Sequence, residues 1–276
     1  MDFKSVKLIL LDLDGTLLSN EGAIGDKSRK YAKLLSDKGV VVTFASGRMY
    51  SALEQYAKEL DLNCYIICSD GAIIKHYPSG NVLQKIALKP QKVTKGIDLA
   101  NKHVVKMVMC TESEVLYTEH NEATMQLIDR FGAQFRLVDD YRTVNEDIIE
   151  LVYVGENRQS LHEIKKHFSF PYSFGIKLTY SKSQSHYQYY LEVKRKNISK
   201  ARALTDLMKK LKISIRDTVV VGDWYNDVEL FKTKAIKVSL ANAVPEIKFL
   251  SDIKLEQTNN EDGVGELLEM IYKQKH

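Results

Sequence analysis

The sequence has few cysteines, little charge imbalance and no long apolar run. Its 276 residues contain three cysteines, Cys64, Cys68 and Cys110, and no Cys-x-x-Cys pair. This odd number and spacing predict buried thiols in a reducing compartment rather than a disulfide framework or a zinc site. No apolar run approaches the ~18 residues of a membrane span, and no signal-peptide core precedes the first apolar stretch. We therefore expect a cytoplasmic protein without a membrane segment.

The net charge is +4, from 40 basic and 36 acidic residues, and the basic residues are scattered. Such a mild and dispersed charge permits a nucleic-acid-binding stripe but does not indicate one. A small anionic ligand fits the charge equally well. With 44% hydrophobic and 28% charged residues, the chain has enough apolar material for one large or two moderate domains. We expect a small-molecule partner, no nucleic acid, no membrane and no obligate protein partner.

The apolar run Val6–Leu11 predicts a short buried strand, and Asp12, Asp14 and Gly15 follow it. Carboxylates at the end of a buried strand are costly unless they bind a metal or another partner. Gly15 supplies the backbone freedom for a tight turn out of the strand. Taken alone, this pattern also fits a solvated turn or a calcium-type loop. The motifs in the rest of the chain distinguish these alternatives.

Buried strands and amphipathic helices alternate over the first part of the chain. Val40–Ala45 is a second strand and ends at Ser46, and Tyr65–Cys68 is a third. Helices are predicted between them, one capped by Asp26 and the other beginning at Met49. This alternation predicts a doubly wound α/β core with a parallel, Rossmann-like sheet, in which ligands bind beyond the carboxyl ends of the strands.

The pattern changes in the middle of the chain, where paired strands predict an antiparallel sheet with helices on one face. We interpret residues 83–189 as an α+β domain inserted into a core made of residues 1–82 and 190–276. The candidate strands are Val104–Cys110, Val115–Thr118, Ile148–Gly155, Ile176–Ser181 and Tyr187–Val193, and the candidate helices are Glu122–Phe131 and Gln159–Phe168.

The doubly wound pattern returns with a helix that Ser199 can cap and that carries Lys200 in its first turn. The helix dipole disfavours a cation there, unless the lysine faces an anion that the helix terminus also binds. The alternative is an exposed lysine on a solvated helix face. The strand Thr218–Val221 follows and runs into Gly222–Asp227, which contains two carboxylates and an amide.

These features together form an acidic pole and a cationic pole. The acidic pole suits a hard cation such as Mg²⁺, which prefers oxygen ligands. The cationic pole offers a hydroxyl, a glycine amide and a lysine to a phosphate group. A carboxylate attacking a phosphate dianion meets a repulsion of about 4 kcal/mol per unit-charge pair at 4 Å and a dielectric near 20. A metal and a lysine on the same oxygens cancel that repulsion.

In these motifs the sequence resembles the haloacid dehalogenase superfamily, and within it the Cof-type phosphatases, which carry an inserted α/β cap domain. The motifs that carry the resemblance are Asp12–Leu17, Ala45–Arg48, Asn197–Lys200, Gly222–Asp227, Ala241–Ala243 and Asn260–Val264. A single motif is weak evidence, but six of them in order at strand and helix ends are strong evidence.

The resemblance implies a Mg²⁺-dependent phosphatase that acts on small phosphorylated metabolites. It makes Asp12 the nucleophile, through an aspartyl-phosphate, and Asp14 the general acid and base. It assigns the Mg²⁺ to Asp12, the Asp14 carbonyl and Asp223, with Asp227 in support. The implied phosphate-binding residues are the Leu13 amide, Ser46, Gly47, Lys200 and Asn226.

Four positions depart from the family pattern, namely Asp70, Asn197, Trp224 and Tyr225. None of them removes a catalytic group, but they leave the substrate open. A phosphotransferase or phosphomutase on the same scaffold is an alternative activity, and a non-enzymatic metal- or phosphate-binding regulator is an alternative of another class.

Overall fold

The computed structural model describes residues 2–119, 134–169, 174–182 and 188–275. The predicted helix Glu122–Phe131 lies outside these residues. The chain divides into two compact units. The first unit contains Met1–Gly47, Leu53–Gln84 and Ser199–His276, and the second contains Arg48–Ala52 and Lys85–Ile198.

The strands and helices of the described residues are numbered here in chain order. The strands are β1 (Leu8–Leu11), β2 (Val41–Phe44), β3 (Cys64–Cys68), β4 (Ile73–Tyr77), β5 (Val82–Lys85), β6 (Lys106–Cys110), β7 (Glu114–Tyr117), β8 (Gln134–Leu137), β9 (Glu150–Gly155), β10 (Ile176–Lys182), β11 (Tyr189–Arg195), β12 (Thr218–Val221), β13 (Ile236–Ser239) and β14 (Ile253–Lys254). The helices are α1 (Asp26–Asp37), α2 (Tyr50–Glu59), α3 (Pro90–His103), α4 (Arg158–Phe168), α5 (Lys200–Leu211), α6 (Val228–Phe231), α7 (Pro245–Leu250) and α8 (Gly263–Gln274).

The first unit contains a parallel sheet in the order β14-β13-β12-β1-β2. The side chains of Leu8 and Leu10 on β1 pack in a core cluster with residues of α5, α6 and α7. The alternate residues Ile9 and Leu11 point to the opposite face. Helix α1 lies on that side, where it packs against α8 and contacts β2. Helices therefore cover both faces, which confirms the predicted doubly wound α/β core.

Among the described residues, one bridge joins strand β3 to the parallel sheet. It pairs antiparallel with β4 in a three-stranded sheet of order β3-β4-β5. A single parallel bridge, Ala45↔Ile67, connects it to the chain that follows β2. The second and third predicted strands thus lie side by side, although regular pairing between them is limited to this bridge.

The second unit contains a sheet of order β10-β11-β9-β6-β7-β8, in which only β7 and β8 pair in parallel. One face of this sheet forms an apolar core with α3 and α4. Helix α3 and strand β8 were not among the predicted elements. Pro90 at the first turn of α3 is the signal that indicates this helix start.

The first unit resumes at Ser199 rather than at residue 190, because β11 belongs wholly to the sheet of the second unit. It pairs with β10 on one side and with β9 on the other. Residues 190–195, which the prediction assigns to the core, therefore belong to the last strand of the second unit.

The predicted cap of the first helix is wrong. Asp26 is the first residue of α1, and its N-cap is Gly25, which provides no side-chain hydrogen bond. The carboxylate of Asp262 takes this role instead, accepting hydrogen bonds from Lys27 N at 2.8 Å and Ser28 N at 3.1 Å. A residue 235 positions away along the chain thus satisfies the first turn of α1.

All three cysteines are buried free thiols, as predicted. None of the helices in the described part of the chain combines the length and the apolarity that a membrane span requires.

Candidate active site

Two neighbouring strands, β1 and β12, end side by side and deliver acidic residues to one edge of the sheet. The register pairs Leu11 with Val221, and the backbone N–H of Asp12 donates to Val221 O at 3.0 Å. Asp12 follows β1 directly and Asp223 follows β12 after Gly222, and both residues are buried. The parallel register therefore explains why two carboxylates far apart in sequence meet.

Lys200 lies between two carboxylates and is almost completely buried, with 1% of its side chain exposed. Its Nζ is 2.7 Å from Asp12 Oδ1 and 2.8 Å from Asp227 Oδ1. Ser199 caps α5, as predicted, by accepting a hydrogen bond from Arg202 N. The alternative of an exposed lysine is excluded, because the start of α5 places Lys200 inside the acidic cluster.

Asp223 is held by the loop that follows β1. Thr16 Oγ1 donates to Asp223 Oδ1 at 2.9 Å. A Cβ on Gly15, which has a φ of 73°, would lie 2.4 Å from Asp223 Oδ2. Any larger residue at this position would therefore clash with the carboxylate as well as strain the backbone.

Asp227 organises the loop after β12. Its Oδ2 accepts hydrogen bonds from the backbone N–H groups of Asp223, at 3.2 Å, and Trp224, at 3.4 Å. Its Oδ1 accepts from Lys200. Both oxygens of this carboxylate thus contact protein donors.

The electrostatics of the cluster show a shortage of positive charge. Burial raises the pKa of Asp12 well above its usual range, and the neighbouring Asp227 carboxylate raises it further, against the opposing effect of Lys200. Burial also raises the pKa of Asp223 to about 6. Burial by itself would lower the pKa of Lys200, but Asp12 and Asp227 raise it overall, so the ammonium stays charged.

One acidic cluster in the described part of the chain has the geometry to hold a metal ion. Asp12, Asp223 and Asp227 each offer one carboxylate oxygen, and these oxygens lie within 4.8 Å of one another. When all three buried carboxylates are ionised, the single ammonium beside them leaves an excess of two negative charges. A divalent cation with a preference for oxygen ligands matches both the donor atoms and the missing charge.

The other residues predicted for the site lie on the surrounding loops. Ser46 is buried two residues after the end of β2, where its backbone N–H donates to Ile67 O at 3.0 Å. Leu13 is also buried, whereas the side chains of Asp14 and Asn226 are exposed. Gly47 lies beside Asp70, since a Cβ at this glycine would be 3.2 Å from Asp70 Oδ1.

Sequence reasoning missed the role of three side chains that fix the loop carrying Asp14, one of which, Thr16, lies within the loop itself. Thr16 contacts Asp223, as described above, and Asn242 Nδ2 donates to Gly15 O at 2.7 Å. Asn259 Nδ2 donates to Leu18 O at 2.9 Å. Asn242 lies inside a motif that the sequence analysis noted without a role, and Asn259 directly precedes another.

Comparison with known proteins agrees with the fold and the motifs. A family model described as haloacid dehalogenase-like hydrolase matches residues 9–268. The 5-amino-6-(5-phospho-D-ribitylamino)uracil phosphatase YcsE of Bacillus subtilis (strain 168) is 28% identical over 264 residues, which cover 95% of this chain and 94% of the relative.

Solved structures show the same fold. TM0651 from Thermotoga maritima has a TM-score of 0.85 at 27% identity, with coverage of 96% of this chain and 97% of its own. A haloacid dehalogenase-like hydrolase from Bacteroides thetaiotaomicron has a TM-score of 0.86 at 23% identity, covering 96% of this chain and 99% of its own. Since the family match extends over most of the sequence, the chain belongs to the haloacid dehalogenase-like hydrolases.

Proposed function

We propose that this hydrolase is a Mg²⁺-dependent phosphatase that cleaves phosphate monoesters of small metabolites through a phosphorylated Asp12. The observation that carries the proposal is the position of Lys200, which contacts Asp12 and Asp227 beside Asp223. A buried lysine next to a buried carboxylate can attract a phosphate dianion to a nucleophile that would otherwise repel it.

The residues that would hold the metal are Asp12, the Asp14 main-chain carbonyl and Asp223, with Asp227 in support. The excess of two negative charges and the all-oxygen donor set fit Mg²⁺. Once bound, the ion supplies positive charge to the phosphate oxygens and to the Asp12 carboxylate. Because Asp227 already bonds to Lys200 and two backbone amides, its part is to keep the loop and the lysine in place.

In the first step, an Asp12 oxygen attacks phosphorus and the bond from phosphorus to the leaving oxygen breaks. Lys200 bonds to Oδ1, so we assign the attack to Oδ2. Asp14 gives its proton to the leaving oxygen and departs from this step as a carboxylate. Its exposed position on the loop after β1 leaves room for a leaving group of varied size.

In the second step, Asp14 removes a proton from a water molecule that attacks the phosphorus of the aspartyl-phosphate. The bond from phosphorus to Asp12 breaks, and inorganic phosphate and the free carboxylate are formed. We assign the phosphate oxygens to the Leu13 amide, Ser46, Gly47, Lys200 and Asn226. These groups belong to loops at strand ends and to one helix start, where backbone amides point outward.

The substrate class is a small phosphorylated metabolite, such as a sugar phosphate, a nucleotide or a phosphorylated coenzyme. YcsE, a relative over nearly the whole length, is named for a phosphorylated ribitylamino-uracil. We assign the choice among such substrates to the second unit.

The test is phosphate release from an aryl phosphate with Mg²⁺ and no acceptor, comparing wild type with Asp12→Asn. Asparagine keeps the shape but removes the attacking charge, so release should fall by at least about 10⁴-fold. Asp26→Asn makes the same chemical change at an exposed carboxylate and should retain activity. Substantial turnover by folded Asp12→Asn refutes the nucleophile. Turnover only with an added sugar acceptor makes the protein a phosphotransferase, and no turnover at all makes it a binding protein.

The metal assignment has a test that needs no turnover. Trp224, the sole tryptophan, is half exposed and follows Asp223 directly. Adding Mg²⁺ should change its emission, with a midpoint that matches the Mg²⁺ dependence of activity, and Asp223→Ala should abolish the change. An unchanged response in folded Asp223→Ala would place the metal elsewhere.

A further inference from the structure

Two asparagines near the end of the chain contact the loop that carries Asp14, although the proposed chemistry uses neither. Asn242 Nδ2 donates to Gly15 O at 2.7 Å, and its Oδ1 accepts from the backbone N–H of Asn259 at 3.1 Å. Asn259 Nδ2 in turn donates to Leu18 O at 2.9 Å and to Asn20 Oδ1 at 3.1 Å. We call Asn242 and Asn259 the amide clamp.

The amide clamp binds the loop at two carbonyls that lie on either side of Thr16. The loop is closed at its base, where Leu18 N donates to Leu13 O at 2.9 Å. At its tip, Gly15 adopts a left-handed conformation with a φ of 73°. Glycine has unusual backbone freedom, so the hydrogen bond from Asn242 to the Gly15 carbonyl restricts the peptide between Gly15 and Thr16, at the tip of the loop that carries Asp14.

The tip of the loop also fits tightly against the acidic cluster. Thr16 bonds to Asp223, and a Cβ on Gly15 would overlap the Asp223 carboxylate. The primary amide at position 242 donates to Gly15 through its nitrogen and accepts from Asn259 through its oxygen. An aspartate would offer acceptors alone and would place a carboxylate oxygen against the Gly15 carbonyl.

We propose that Asn242 and Asn259 are positioning residues for the general acid, which hold the Asp14 loop where the carboxyl group reaches the leaving oxygen. The inference rests on the proposed function, because it presumes that Asp14 transfers a proton. A misplacement of about 1 Å in a reacting group costs about 10²-fold in rate. Loss of the amide clamp should therefore act on the step that needs Asp14 most.

The experiment compares two substrates under conditions where phosphorylation limits the rate. An alkyl phosphate has a poor leaving group and needs protonation, whereas p-nitrophenyl phosphate has a good one and needs little. Asn242→Ala should lower kcat about 10- to 100-fold on the alkyl phosphate and less than about threefold on the aryl phosphate. Asn260→Ala is the control, since Asn260 Oδ1 accepts from Asn20 N outside the Asp14 loop, and both rates should be retained.

A double variant separates positioning from damage to the fold. If Asn242 acts through Asp14, then Asp14→Asn combined with Asn242→Ala should be no slower than Asp14→Asn alone. Equal losses of Asn242→Ala on both substrates, or losses that multiply in the double variant, would overturn the positioning role. If Asp14→Asn itself shows no dependence on the leaving group, the proposed acid fails instead, so the two failures are distinguishable.

Discussion

Each unit contains a lysine placed between two buried carboxylates, but the two arrangements differ in geometry. In the first unit, Lys200 contacts carboxylates from two loops at 2.7 and 2.8 Å, and a third carboxylate lies beside them. In the second unit, Lys194 lies 3.4 Å from Glu150 and 3.5 Å from Glu192, and all three residues project from the regular strands β9 and β11. The first cluster is tighter and more negative than the second.

The difference reflects where each cluster stands in its sheet. Groups beyond strand ends are carried by loops, so several of them can converge on one ligand. The register of neighbouring strands fixes which side chains lie opposite each other. Lys194 lies opposite Glu150, so these side chains pair across the two strands and do not converge on a ligand. The first cluster is suited to stabilising charge that develops on a bound ligand during a reaction. The second cluster is suited to holding strands β9 and β11 together.

A surface counterpart completes the comparison. Lys27 on α1 lies 2.6 Å from both Glu266 and Glu269 on α8. Its side chain is 34% exposed, compared with 9% for Lys194 and 1% for Lys200. Since water screens exposed charges, the attraction between lysine and carboxylates should weaken from the first cluster to the third.

Among the three lysine clusters, the largest effect is expected from Lys200→Met. The substitution removes the ammonium that offsets Asp12 and would contact the phosphate, so kcat should fall by about 10²–10³-fold. Turnover of an aryl phosphate at saturating Mg²⁺ measures it. Lys27→Met makes the same change at the surface and should leave kcat unaltered. A loss below tenfold in Lys200→Met would reduce this lysine to a structural counter-ion.

Lys194→Met should reduce stability rather than chemistry. Removing the lysine takes its positive charge away from the buried carboxylates of Glu150 and Glu192, which should lower the free energy of unfolding by up to about 3 kcal/mol. Urea unfolding followed by circular dichroism measures the loss. The control is Lys273→Met at an exposed pair, where we expect a change within about 0.5 kcal/mol. If the two variants unfold alike, the buried cluster does not contribute to cohesion.

Removing a neutral buried group in the second unit should change the free energy of unfolding by less than Lys194→Met does, and in the opposite direction. The Tyr153 hydroxyl is buried and finds no hydrogen-bond partner among the described residues. Tyr153→Phe removes this unsatisfied group and keeps the ring, so stability should rise by about 1 kcal/mol. Tyr141→Phe is the contrasting variant, because the Tyr141 hydroxyl bonds to Met107 O, and it should lose stability. A decrease in Tyr153→Phe would mean that the hydroxyl has a partner in solution.

The smallest effect concerns the surface cluster and depends on pH. Hydrogen bonds from Lys27, Lys273 and Tyr31 lower the pKa of Glu269 to about 2 from its usual 4.5. A depressed pKa means that the carboxylate stabilises the folded state above pH 4.5 and that this contribution is lost as the pH falls towards 2.

The difference in urea midpoint between wild type and Glu269→Gln should therefore be present near neutral pH and shrink on acidification through that window. It should also shrink with added salt. A difference that stays constant across the window would assign the effect to packing.

The convergence of the acidic residues and Lys200 was easier to predict from the sequence than the contacts that support it. Asp12, Asp223 and Lys200 occupy strand and helix ends whose positions follow from local patterns, so their convergence could be expected. The contact between Thr16 and Asp223 and the amide clamp depend on tertiary approach of distant segments, which no local pattern encodes. The cap of α1 shows the limit of local patterns. Asp26 was expected to cap this helix, but the capping carboxylate belongs to Asp262, near the other end of the chain.

The second unit was predicted less completely for a related reason. Its antiparallel sheet was expected, whereas β8 pairs in parallel with β7, a neighbour relation that alternation in the sequence does not indicate. The predicted boundary at residue 190 falls inside the predicted strand Tyr187–Val193, whereas β11 extends to Arg195 and lies wholly in the sheet of the second unit.

The interior position of β1, between β12 and β2, determines when the enzyme can become active during synthesis. One edge of β1 pairs with β2 early, but the other edge waits for β12, where Leu8 meets Thr218. The whole of residues 85–198 is translated in between and can collapse on its own apolar core. Closure of the parallel sheet is a late, long-range event. We therefore expect a nascent chain to acquire a folded insertion first, and Asp12 to meet its lysine and its second carboxylate only after the ribosome has passed β12.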